Sequence, residues 1–231
     1  MPTTNITRAE AAERSSLVSV TSSEVHVDLR GVQASDATTF ASTTTVRFTA
    51  TPGATTWIDI IAPALRSAVL NGQPIDASAF DGTRLALPAL AADNVLVVEA
   101  DCAYMRTGEG LHRFVDPVDK EVYLYSQFEV ADARRMYACF DQPDLKAPYT
   151  LSVTAPFDWQ VVSNAATPEP QLLGDGYARW DFAATPRLST YITALVAGPY
   201  AVVRDEYVGP HGTYPLGLFC RASLAEHLDT D

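Results

Sequence analysis

The stretch EVHVDLR, Glu24–Arg30, alternates apolar and polar residues without a break. Val25, Val27 and Leu29 fall on one side. Glu24, His26, Asp28 and Arg30 fall on the other, as in a half-buried antiparallel strand. His26 is therefore expected to be exposed. The same rhythm, rich in Thr, Val and Ile, continues through residues 40–50, 55–61, 65–70, 84–87 and 95–104. Further strands are expected at 149–154, 159–163, 177–182, 190–196, 200–208 and 213–220. Asn71-Gly72, set between LRSAVL and QPI, has the chemistry of a tight hairpin, because both residues tolerate positive φ.

Helical patterns between these strands are almost absent, which disfavours βαβ units and a parallel sheet. The expected fold is all-β and mainly antiparallel, a β-sandwich of stacked sheets. One short helix precedes it. Thr7 to Glu10 (TRAE) has capping-box spacing and leads into the Ala-rich AAERSS, so the helix should end before Val18. Three segments are expected: an N-terminal helical segment at 1–20, a β domain at 21–219, and a junction at 220–231.

The 231 residues suffice to bury a core, and the 47% hydrophobic and 19% charged content argues against disorder. Net charge is −12, which repels phosphate backbones and anionic lipid, so neither nucleic acid nor membrane is an expected partner. Cys102, Cys139 and Cys220 are far apart and odd in number. They read as buried free thiols of a reducing compartment rather than a disulfide framework or zinc ribbon. The polar N-terminus lacks the apolar core of a signal peptide, and no run approaches the ~20 apolar residues of a membrane span. A cytoplasmic location is expected.

Candidate chemistry concentrates in YLYSQFEVADARRMYACFDQPDLKAPYTLSV, Tyr123–Val153. In an extended strand Gln127 and Glu129 share one face while Phe128 points to the other. A carboxylate beside an amide suits a positively charged amino group. Composition alone makes the pair a polar strand face, and only the surrounding motif lifts it above that. Arg134 and Arg135, near Asp132, Asp141 and Asp144, read as ion pairs and turn contacts that shape a loop. Asp141 to Asp144 (DQPD) reads as a turn.

Other candidates are weaker. His26, His112, His211 and His227 are scattered, no HExxH pair exists, and no metal site is expected in this chain. The acidic cluster Glu226, His227, Asp229 and Asp231 reads as a helix start or solvated tail. Thr107 to Gly110 reads as a turn rather than a phosphate loop. No nucleophile is paired with a base. Trp57, Trp159 and Trp180 sit in strands, where core packing is a simpler account than sugar binding.

The string SQFEVADARRMYACFDQPDLKAPYTLSVTAP, Ser126–Pro156, resembles the N-terminal domain of aminopeptidase N-type zinc metallopeptidases, the gluzincin aminopeptidases. TPRLSTYITALVAGPY, Thr185–Tyr200, is similar to the family's Thr-Pro-x-x-Ser-Thr-Tyr segment, and GEGLHRF, Gly108–Phe114, fits its approach to the Gln-x-Glu strand.

The resemblance implies a saddle-like β domain that packs against a thermolysin-like catalytic domain of the same polypeptide. It implies a parent enzyme that holds zinc and removes N-terminal amino acids from peptides. Gln127 and Glu129 would then contact the amino end of the peptide substrate. The family's GxMEN and HExxH motifs do not occur in these residues. The chain is therefore expected to be truncated before the catalytic domain, with no catalytic residue of its own and no cofactor, and to be inactive alone. The alternative is a non-catalytic β-sandwich adaptor that binds proteins or peptides. An exposed apolar patch is expected where a catalytic domain would pack.

Overall fold

A computed structural model describes residues 5–229. The helix α1 spans Arg8–Leu17 and sixteen strands follow. These are β1 (Val18–Asp28), β2 (Thr39–Ala50), β3 (Thr56–Asp59), β4 (Ala64–Leu70), β5 (Gln73–Pro74), β6 (Arg84–Leu87), β7 (Asp93–Ala103) and β8 (Gly110–Val115). The second half contains β9 (Val122–Gln127), β10 (Tyr149–Pro156), β11 (Gln160–Val162), β12 (Gln171–Gly174), β13 (Tyr177–Asp181), β14 (Val196–Gly198), β15 (Tyr200–Gly209) and β16 (Gly212–Arg221).

An eight-stranded sheet, ordered β12-β13-β10-β1-β2-β7-β4-β5, faces a four-stranded sheet, β11-β14-β9-β8. Two small pairs, β3-β6 and β15-β16, complete the all-β, largely antiparallel fold. One pairing is parallel: β1 runs alongside β10, with Val25 opposite Leu151. Nothing in local alternation signals this, because the two strands lie over a hundred residues apart in sequence.

The large sheet is two-faced, as its period-two pattern requires. Phe40, Val46 and Phe48 of β2 and Leu96, Val98 and Ala100 of β7 point into the core. Thr43, Thr45 and Arg47 lie on the opposite face. His26 departs from expectation. It is half-buried on that polar face, where its Nδ1 lies 2.7 Å from the Ser152 hydroxyl on β10. Burial holds its pKa below the usual imidazole value.

Local signals hold well. Thr7 accepts the Glu10 N–H at 3.2 Å while Glu10 accepts the Thr7 N–H at 2.7 Å, a complete capping box. The helix gives way to β1 at Val18, so the strand begins inside the 1–20 segment. Asn71 and Gly72 take φ of 52° and 79° and join β4 to β5.

One expected strand is wrong. Thr190–Ile192 is a short 3-10 turn, and extended pairing starts only at Val196. Thr190, Ser189 and Thr193 spend their hydroxyls on turn and loop contacts instead of presenting a ladder. Cys102 and Cys139 are buried free thiols, whereas Cys220 is only partly covered. Trp159 and Trp180 are core residues, and Trp57 is half-buried beneath two arginines.

The long loop between β9 and β10 contributes Phe128, Met136, Tyr137 and Phe140 to the core. Phe140 meets Phe48 edge-on at 5.2 Å, and Tyr137 contacts both Tyr149 of β10 and Phe128 beyond β9. These rings join the two sheets into one core.

Candidate substrate-binding wall

β9 ends at Gln127, so Glu129 lies in the following turn rather than in the strand expected. The alternation nonetheless carries through: Gln127 and Glu129 are exposed, and Phe128 between them is 2% exposed. Phe128 anchors that turn by its edge-on contact with Tyr137. The strand itself is held on both sides. Gln127 is in register with Gly110 of β8, and Ser126 exchanges hydrogen bonds with Leu195, its N–H donating at 2.9 Å and its hydroxyl accepting at 2.8 Å.

Gly110 is needed where it stands. Its φ is +61°, and a Cβ there would lie 2.9 Å from Arg135 Cβ and 3.0 Å from Met105 Cγ. The turn closes when the Asp132 N–H donates to the Phe128 carbonyl at 3.2 Å. Arg134 Nε then donates to the Ala131 carbonyl at 2.9 Å, and Arg135 pairs with Asp132 and Glu109. The two arginines shape the loop, as their surroundings suggested.

Behind this wall lies a buried polar network. Asp141 accepts the Arg134 N–H at 3.2 Å and the Thr190 hydroxyl at 2.7 Å, and burial pushes its carboxyl pKa up. Ser189 donates to the Pro143 carbonyl at 2.6 Å, and the Tyr137 and Thr193 hydroxyls lie 3.0 Å apart. Two of the motif segments singled out in the sequence, 126–156 and 185–200, thus bond directly to each other. Gln142 to Leu145 forms the turn expected from DQPD, its Leu145 N–H donating to the Gln142 carbonyl at 3.0 Å.

Sequence reading missed the helix's part in this network. Arg14 of α1, 1% exposed, pairs with Asp59 at 2.7 Å and donates to Gln142 at 3.1 Å. Asp59 also accepts from Trp57 Nε1 and from the Asp141 N–H, each at 3.0 Å. A signal was present. Asp59 interrupts the apolar run Ile58 to Ile61, and a carboxylate there needs a buried partner.

Of the remaining candidates, His112 lies beside the wall, on β8 in register with Tyr125, two residues from Gln127. His112 stacks on Tyr125 with ring centroids 4.7 Å apart and accepts the Gly108 N–H. Burial lowers its pKa. Glu226 and His227 are exposed at the C-terminal end, in a 3-10 segment, and Asp231 lies outside the described residues. Among the described residues no three His, Cys, Asp or Glu side chains gather as metal ligands. No described helix is long and apolar enough to cross a membrane.

Comparison with known proteins agrees with this fold. Residues 104–192 match the Peptidase M1 N-terminal domain. The chain is 52% identical over its whole length to Aminopeptidase N of Streptomyces lividans, covering 26% of that protein. It is 42% identical to Aminopeptidase N of Acetobacter pasteurianus over 45% of the chain and 28% of that relative. The crystal structure of Legionella pneumophila aminopeptidase A in complex with aspartic acid shares the fold. The TM-score is 0.77 over 90% of this chain and 25% of that one, at 16% identity. The chain spans about a quarter of the length of the curated relatives it matches. The match of residues 104–192 and the identity along the whole chain place it in the aminopeptidase N-type (M1) family, as an N-terminal domain.

Proposed function

We propose that this domain serves substrate recognition and architecture in a zinc-dependent aminopeptidase, with Gln127 and Glu129 receiving the free amino end of a peptide. One observation carries the reading: two exposed polar side chains stand on either side of the buried Phe128, at the end of β9 and in the turn that follows. An exopeptidase must distinguish a terminal α-ammonium from an internal amide. A carboxylate with an amide oxygen beside it supplies acceptors for the ammonium's three N–H groups. Fixing that amine fixes the first peptide bond relative to whatever cleaves it, a positioning contribution to rate.

Among the described residues no three His, Cys, Asp or Glu side chains gather as metal ligands, and the contribution proposed for the domain's own residues is binding. The zinc that the family implies would be held by a thermolysin-like catalytic domain of the same polypeptide, where it would polarise the scissile carbonyl. Support for such a partner comes from the β15-β16 hairpin. Val203, Tyr207, Tyr214, Leu216 and Leu218 are exposed on one face of it, an apolar surface suited to a covering domain. Residues 21–219 would form the recognition body, with a cytoplasmic location and no nucleic-acid or membrane partner.

The test is Glu129→Ala in the full-length enzyme. Removing a charge-assisted hydrogen bond of about 1.5–3 kcal/mol should lower kcat/KM for peptides with a free N-terminus roughly ten- to a hundredfold. Wild-type activity in this variant would remove the assigned role.

A further inference from the structure

Arg135 stands where the two parts of the wall meet. Its Nε donates to Asp132 Oδ1 at 2.5 Å, and Nη2 lies 3.4 Å from Glu109 Oε2. Asp132 is the residue whose N–H closes the turn bearing Glu129. Glu109 directly precedes Gly110, the register partner of Gln127. The stem of Arg135 is packed against Gly110 so closely that a Cβ would not fit between them. A single side chain therefore ties the start of β8, and through it the end of β9, to the turn.

We propose that Arg135 is a positioning residue for the amine-binding pair, an ionic clamp that sets Glu129 at a fixed offset from Gln127. The proposal rests on the reading of those two residues as the amine site. The need for a clamp is physical. Gln127 is held by the sheet ladder, but Glu129 lies beyond it and has no strand partner. A site that aligns a peptide bond must hold its groups to fractions of an ångström. Guanidinium presents donors on several edges of one rigid plane, so it can hold two carboxylates in a set geometry, whereas ammonium is a point charge on a flexible stem. With its side chain only 24% exposed, Arg135 is partly shielded from the screening that weakens surface pairs. Arg134 has a different task, donating from its Nε to the Ala131 carbonyl and from its backbone N–H to the Asp141 carboxylate.

The experiment compares Arg135→Met, Arg135→Lys, Glu129→Ala and the double variant R135M/E129A in the full-length enzyme, on a peptide with a free N-terminus. Arg135→Met should reduce kcat/KM roughly tenfold, chiefly through KM, with Arg135→Lys recovering part of the loss. In the E129A background, Arg135→Met should cost nothing further, because its effect runs through Glu129. An equal additional loss in that background, or no loss in the single variant, would overturn the clamp while leaving the amine site intact. Full activity of Glu129→Ala would instead sink the amine site and the clamp together. Should Arg135→Met not fold, Glu109→Gln removes only one arm and should show the same non-additivity at smaller size.

Discussion

Replacing Arg14 by Met tests whether the N-terminal helix is part of the domain's core. The side chains of Arg14 and Asp59 are 0% and 3% exposed, and their 2.7 Å bond lies in a low-dielectric interior. The guanidinium also lies 4.9 Å from the Trp57 ring centroid and 5.7 Å from that of Phe140. Methionine keeps most of the apolar stem but removes the charge. Asp59 would then keep only two neutral donors, Trp57 Nε1 and the Asp141 N–H. Breaking one half of a buried pair costs about 3–5 kcal/mol. Arg14 Nη2 has no hydrogen-bond partner among the described residues, so the native arrangement already bears some desolvation cost, and the lower end of that range is expected. For a domain of this size, about 3 kcal/mol corresponds to a fall in Tm of roughly 10 °C. Urea denaturation of the purified chain should show the loss in the midpoint. The double variant R14M/D59N should be less destabilised than the sum of the singles, with a coupling above about 1 kcal/mol. A loss below about 1 kcal/mol for Arg14→Met, or strict additivity, would refute the view that a charge pair holds the helix.

Two further outcomes bear on the same architecture. Glu10 is held down to about 2, first by its hydrogen bond with Arg84 and then by the Thr7 N–H and hydroxyl. Since its folded value lies below the ordinary 4.5, it stabilises the fold above pH 4.5 and loses that effect as pH falls toward 2. Glu10→Gln should therefore lower stability by about 1 kcal/mol at neutral pH, with the difference from wild type vanishing in acid. A constant difference across a pH series of urea titrations would contradict the assignment. Gly110→Ala must bear both the positive φ and the contact with Arg135 Cβ, and should cost about 1–3 kcal/mol in the same assay.

The parts of this fold that the sequence makes legible depend on near neighbours. Alternation in Glu24–Arg30, the Asn71-Gly72 turn and the Thr7–Glu10 box each involve residues within a few positions, and each is found as expected. Gln127 and Glu129 are both exposed around a buried Phe128, as alternation suggests, although the ladder stops at Gln127. What escaped depends on distant partners. Thr190 sits in a β-favouring run but is drawn into a turn by Asp141, forty-nine residues away. His26 looked like an exposed residue of a polar face until Ser152 was brought beside it. Arg14 lay in a polar helix with nothing to mark its burial, and its partner Asp59 was the only local hint.

The parallel pairing of β1 with β10 also governs the order in which the molecule can be assembled. Residues 18–103 can form an antiparallel set by themselves, but one flank of β1 stays open until residue 149 and those after it arrive. Such a long loop must be closed before its contacts repay the entropy, so this seam carries a large closure cost. During synthesis the open flank of β1 is a bare strand edge carrying Val25 and Val27, a template for pairing with another nascent copy. Closing the seam therefore protects the young chain as well as completing the sheet.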